Sequence, residues 1–132
     1  MHTLIALLPL IILFIYYVAL AVLHAAYIKI SADQIRGMMV SWRDAFRFAL
    51  GLMAIILIIR SVTMEVGWLN STSALVVFSL VLHLSLGGWF LGTRALTREN
   101  KPAGWKGGAL ISALAYFYLV ITIVIANVVI KQ

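Results

Sequence analysis

Three stretches of the chain, residues 1–28, 66–93 and 107–130, carry no Asp, Glu, Lys or Arg. Each exceeds the roughly 20 apolar residues, at about 1.5 Å per residue, that cross a hydrocarbon layer about 30 Å thick. They predict membrane-spanning helices over about 3–23, 72–95 and 107–130. A fourth uninterrupted run, residues 48–59, lies between Arg47 and Arg60 and is too short on its own to span.

Charge placement decides how that run is used. Lys29, Arg36, Arg43 and Arg47 precede or open it, and Arg94, Arg98, Lys101 and Lys106 separate the last two spans. If residues 46–64 cross, all eight of these cations share one side, with Arg60 and Lys131 on the other. If they do not cross, the bias disappears. Positive residues collect on the cytoplasmic face, so four spans are expected, with both termini outside and loops 29–43 and 96–106 cytoplasmic. Trp42, Trp89 and Trp105 then fall near the inner interface and Trp68 near the outer one, as in an aromatic belt. The expected fold is an all-α integral membrane protein, an antiparallel up-down bundle of four transmembrane helices, N-out/C-out, forming one domain over residues 1–132.

Composition agrees. The 132 residues are 64% hydrophobic and 11% charged, with a mean hydropathy of +1.11. That is far from a soluble globular chain and leaves no segment for an aqueous domain. The net charge of +6 follows from the inner-face bias, so no nucleic-acid partner is expected. The absence of Cys excludes disulfides and thiolate-ligated metals. The expected location is a bacterial or phage-encoded inner membrane. Ala19-Leu20-Ala21 has the small-x-small form of a signal-peptidase site, but Met1-His2-Thr3 supplies no cation, so a retained anchor is favoured.

Local signals refine the elements. Pro9 removes a backbone donor and predicts a kink. Tyr16 and Tyr17, near mid-depth, require polar partners from a neighbouring helix. Ser31 and Gln34 have capping-box spacing and predict a helix starting there and running through Arg36, Arg43 and Arg47. Those arginines form one stripe, with Asp33–Arg36 and Asp44–Arg47 able to pair. Together with Arg98, Lys101 and Lys106 they are expected to contact lipid headgroups.

The third span carries the candidate chemistry. Thr72, Ser79, His83, Gly87 and Arg94 recur at offsets of 7, 4, 4 and 7, on one helical face that should point to protein or water. His83 is the one ionisable group near mid-depth. It can serve as a neutral hydrogen-bonded histidine, as a proton or ion pathway group, or as a haem b or metal ligand. Counted from the outer ends of their spans, His24 and His83 differ by roughly 15 Å in depth, which disfavours bis-histidine ligation within one chain. No other cofactor is expected. Gly88 and Gly92 form a GxxxG, as do Gly104 and Gly108, the latter continuing through Ser112 and Ala115. Such stripes let helices approach closely, within the bundle or between copies. No Asp or Glu lies at mid-depth, which argues against a proton-coupled exchanger.

In size and four-span layout the chain is similar to the membrane-associated eicosanoid and glutathione metabolism proteins. Their polar stretch opening the second helix is represented here by Arg43-Asp44 and Arg47, without its Asn and Glu, so no glutathione site carries over. Being small, multi-span and basic on the inner face, the chain also resembles phage holins, whose charged C-terminal tail is reduced here to Lys131-Gln132. The leading expectation is a homo-oligomeric pore or permeation protein, holin-like or a small channel. In it the polar face of the third helix lines the lumen and the small-residue face of the fourth makes the contact. The alternatives are an accessory membrane subunit of a redox complex, with haem or quinone near His83, and a small membrane enzyme acting on lipophilic substrates. No catalytic residue is identified, and the expected partners are membrane lipids together with other copies or a larger membrane complex.

Overall fold

In a computed structural model, residues 1–35, 37–63 and 72–132 are described. They form four helices, α1 (His2–Gln34), α2 (Trp42–Thr63), α3 (Thr72–Arg94) and α4 (Gly104–Ile130), and no strand occurs among the described residues. Three of them, α1, α3 and α4, are long and apolar enough to cross a membrane. The fourth, α2, with Arg43, Asp44 and Arg47 in its first two turns, is not among these three.

Each helix packs on its chain neighbours, and α1 also packs on α4, closing a ring in which α1 faces α3 across a diagonal. No close backbone contact joins α1 to α3 among the described residues. Neighbours run antiparallel: Tyr27 bonds Thr122 and Gln34 bonds Tyr118 across α1/α4, while Tyr116 reaches Val76 and Gly108 reaches Gly92 across α4/α3.

The α1–α2 and α3–α4 connections lie side by side and define one end of the bundle, the inner end. Met39 and Leu96 exchange backbone hydrogen bonds of 2.8 and 2.9 Å, and Ala103 N donates to Ala95 O at 2.8 Å. Lys29 Nζ donates to Val40 O at 2.6 Å, tying the end of α1 to the same place. Buried residues concentrate toward this end, from Ala21 to Ala32 on α1 and from Gly107 to Ala115 on α4. The first half of α1 and the last part of α4 expose apolar side chains, as helices surrounded by lipid do.

The first two helices differ from expectation at their junction. Ser31-Ala32-Asp33-Gln34 does not open a helix; it closes α1, which passes through Pro9 without interruption. Ser31 is fully buried, and the Gln34 side chain accepts from Tyr118 rather than capping backwards. The cap of α2 is Ser41 instead: its Oγ accepts from Asp44 N at 3.1 Å and donates to the Asp44 carboxylate at 3.0 Å. That is the forward half of a capping box; the Asp44 carboxylate takes the Ser41 hydroxyl rather than its backbone N–H. Gly37, at φ +63°, supplies the left-handed turn between the two helices. Of the arginine stripe, Arg43 and Arg47 lie on α2. Asp44 lies 3.9 Å from Arg94 rather than pairing with Arg47, and the Asp33–Arg36 pair falls outside the described residues.

Candidate functional site: a histidine pair on the bundle diagonal

α1 and α3 each contribute one buried histidine, and the two meet. His24 and His83 are each 2% exposed, and their ring centroids stand 5.2 Å apart at an interplanar angle of 43°. This corrects the 15 Å depth difference expected from the sequence. His24 precedes the inner end of α1 by 10 residues and His83 precedes that of α3 by 11, so measured from the inner ends they are level. The error came from counting at the outer ends, where α1 begins well beyond α3.

The local chemistry of His83 is set by its own helix. A carbonyl only accepts, so Nδ1–H donates to Ser79 O, one turn back, at 2.7 Å. In the neutral ring this leaves the Nε2 lone pair free, and Nε2 has no hydrogen-bond partner among the described residues. His24 Nε2 likewise has none. Aromatic rings flank the pair: Tyr116 lies 4.5 Å from His83, and Phe48 lies 6.3 Å from His24. The Tyr116 hydroxyl donates to Val76 O at 3.2 Å, which holds its ring against His83. Small residues neighbour these rings along the chain: Ala21 and Ala25 on α1 beside His24 and Ala115 on α4 beside Tyr116 are all fully buried.

The remaining residues of the predicted polar face are divided. Ser79, His83 and Gly87 are buried within the single chain, while Arg94 is half-exposed at the inner end, its guanidinium 4.0 Å from the Phe90 ring. The Thr72 side chain and Arg36 lie outside the described residues. Gly88, Gly92, Gly104, Gly108, Ser112 and Ala115 gather along one α3/α4 seam. A Cβ at Gly92 would meet Gly104 O at 2.7 Å, and one at Gly87 would meet Ser112 Cβ at 2.2 Å. Arg43, Arg47, Arg98, Lys101 and Lys106 all have exposed side chains toward the inner end.

Sequence reasoning missed His24, Tyr116 and Lys29. The signal for His24 was present as its distance from the inner cation cluster. Tyr16, expected to need a polar partner, is instead exposed, its ring 5.7 Å from that of Tyr17. Two donors from one chain can hold a metal only if other ligands complete its shell, and no group of three or more His, Cys, Asp or Glu is poised for an ion among the described residues. Comparison with known proteins finds no matching family model, no matching curated protein and no matching solved structure.

Proposed function

We propose that the protein is a small haem-binding membrane subunit that carries electrons, in which His24 and His83 would hold one haem b. One observation carries this reading: two buried imidazoles meet across the diagonal, ring centroids 5.2 Å apart, with both Nε2 atoms unbonded among the described residues. The Ser79 carbonyl bond to His83 Nδ1 is the outer-shell contact that fixes the tautomer of a metal-binding histidine. A bare ion would need further protein donors, whereas haem brings four nitrogens and asks two of the chain.

Imidazole nitrogens about 2.0 Å from a metal on opposite sides place ring centres about 6 Å apart. Relative to that, the 5.2 Å spacing requires α1 and α3 to part, and a flat macrocycle between the rings also requires Tyr116, 4.5 Å from His83, and Phe48, 6.3 Å from His24, to swing aside. Helices without mutual backbone contact can supply that movement. Two protein ligands leave iron no open position, which favours electron transfer over substrate chemistry.

This reading takes all four helices as spans, N-out/C-out, with loops 29–43 and 96–106 on the cytoplasmic side of an inner membrane. The bonded Met39 and Leu96 segments support placing both loops on one face. Met39→Cys and Lys101→Cys should then label from the same side of sealed vesicles. Labelling from opposite sides ends the four-span reading. A lumen built from several copies would need the Ser79–His83–Gly87 face uncovered, but it is covered within one chain, so the geometry favours the haem subunit over the pore.

The test is the visible spectrum of protein purified from haem-supplied cells, with haemin titration of any empty fraction. One haem per chain with a low-spin, six-coordinate spectrum is expected, and His24→Ala or His83→Ala should each destroy that spectrum. Saturable uptake that ignores both substitutions, or no uptake by a helical wild type, refutes the assignment.

A further inference from the structure

Lys29 is the first charged residue after the uncharged run of α1, and Arg94 is the first after that of α3. Both therefore stand where hydrocarbon gives way to headgroups. They line one cleft of about 610 Å³ at the inner end, together with Asp33, Val40, Ser41 and Asp44. We propose that this cleft binds a phosphoethanolamine group, its phosphate on Lys29 and Arg94 and its ammonium on Asp33 and Asp44. The proposal goes beyond the haem assignment and stands without it, needing only that α1 and α3 cross the membrane.

Three observations select that occupant. The first is charge balance. Two cations and two carboxylates line the cleft, so an anion alone would face unanswered acids and a cation alone unanswered bases. A ligand with one group of each sign answers both.

The second is what these side chains leave unspent. Lys29 and Asp33, one turn apart on α1, form no ion pair with each other. The ammonium donates once, to Val40 O at 2.6 Å, and lies 5.1 Å from the centre of the Trp42 ring. Two of its three N–H groups remain. The Asp33 carboxylate has no hydrogen bond or ion pair among the described residues. Arg94 Nε and Asp44 Oδ1 stand 3.9 Å apart, beyond a charged hydrogen bond of about 2.7–2.9 Å, so both keep capacity for a ligand.

The third is size and depth. Small-molecule pockets run from about 300 to 1,000 Å³, and this cleft falls in that range, which suits a headgroup rather than a single ion. At headgroup depth a bilayer presents the group on an aminophospholipid; glycerophosphoethanolamine is the soluble source of the same chemistry.

Dihexanoyl-phosphatidylethanolamine titrated calorimetrically into the full chain in dodecyl maltoside should bind saturably, at one site per chain. Dihexanoyl-phosphatidylglycerol lacks the ammonium and should bind at least tenfold more weakly. Asp33→Asn, a change on an exposed residue, should weaken the ethanolamine lipid at least tenfold while far-UV circular dichroism stays unchanged. Lys29→Met should weaken both lipids. Equal affinity for the two lipids, wild-type binding by Asp33→Asn, or no saturable binding by a helical wild type would overturn the assignment. Glycerophosphoethanolamine identifies the source: affinity within about threefold of the lipid's assigns the soluble phosphodiester, and tenfold weaker binding assigns the membrane lipid. The visible spectrum of the same samples reports haem separately, so failure of either assignment is visible without the other.

Discussion

Gly108→Ala should lower the melting temperature of the detergent-solubilised protein by about 5–10 °C, the largest loss expected from adding one carbon to this chain. A Cβ at Gly108 would stand 2.3 Å from Gly92 N and 2.4 Å from Gly87 O. Both are backbone atoms in a helix and cannot rotate aside, so α3 and α4 must move apart. In lipid, where apolar burial does not drive helices together, close packing is a main source of their association. Separating this seam costs about 1–3 kcal/mol by the usual scale of overpacking. Two controls order the effect. At Gly88 the nearest atoms are in the Trp105 ring, at 2.6 Å, on an exposed side chain that can swing away. At Gly51 nothing lies within 4 Å. The expected ranking of destabilisation is therefore Gly108→Ala, then Gly88→Ala, then Gly51→Ala at or near zero. Thermal melts followed by helix circular dichroism read it directly, and a Gly108→Ala protein that melts like Gly51→Ala would remove the α3/α4 seam.

The parts of this architecture legible in sequence depend on single-helix properties. Uncharged runs locate α1, α3 and α4 because span length is set by bilayer thickness. The Gly88/Gly92 and Gly104/Gly108 spacing marks the seam because a backbone contact between helices excludes any larger side chain. What was not legible depends on how separate helices are offset. A capping box at Ser31 and one at Ser41 look alike in sequence; only burial of Ser31 and the Tyr118–Gln34 bond distinguish them. The level of His24 against His83 is likewise set by folded loops. The paired Met39 and Leu96 segments align the inner ends of α1 and α3, and α1 takes up its extra length at the outer end. Helical periodicity carries no information on that offset. Spacing put Ser79, His83 and Gly87 on one α3 face, but periodicity could not say whether a lumen or another helix of the same chain would cover it.

Replacing both histidines by leucine should make the cofactor-free protein more stable, not less. A buried polar atom without a partner costs about 1–3 kcal/mol, and His24 and His83 each leave Nε2 in that condition. Leucine is of similar bulk and asks for no partner, so the double variant His24→Leu/His83→Leu removes two such costs. It forfeits the Nδ1–Ser79 bond, worth about 1 kcal/mol net. The net gain is about 1–5 kcal/mol, seen as a melting temperature several degrees above that of haem-free wild type. Haemin should then narrow or reverse the difference. A ligand that binds only the folded state at a hundred times its Kd adds about 2.7 kcal/mol, and it does so for wild type while leaving the double variant unmoved. Side chains that weaken an empty fold and strengthen an occupied one are those expected where function sets the residue. If the leucine pair instead melts below haem-free wild type, the imidazoles are holding the helices together through contacts of their own. In that case their meeting on the diagonal serves the fold rather than a ligand.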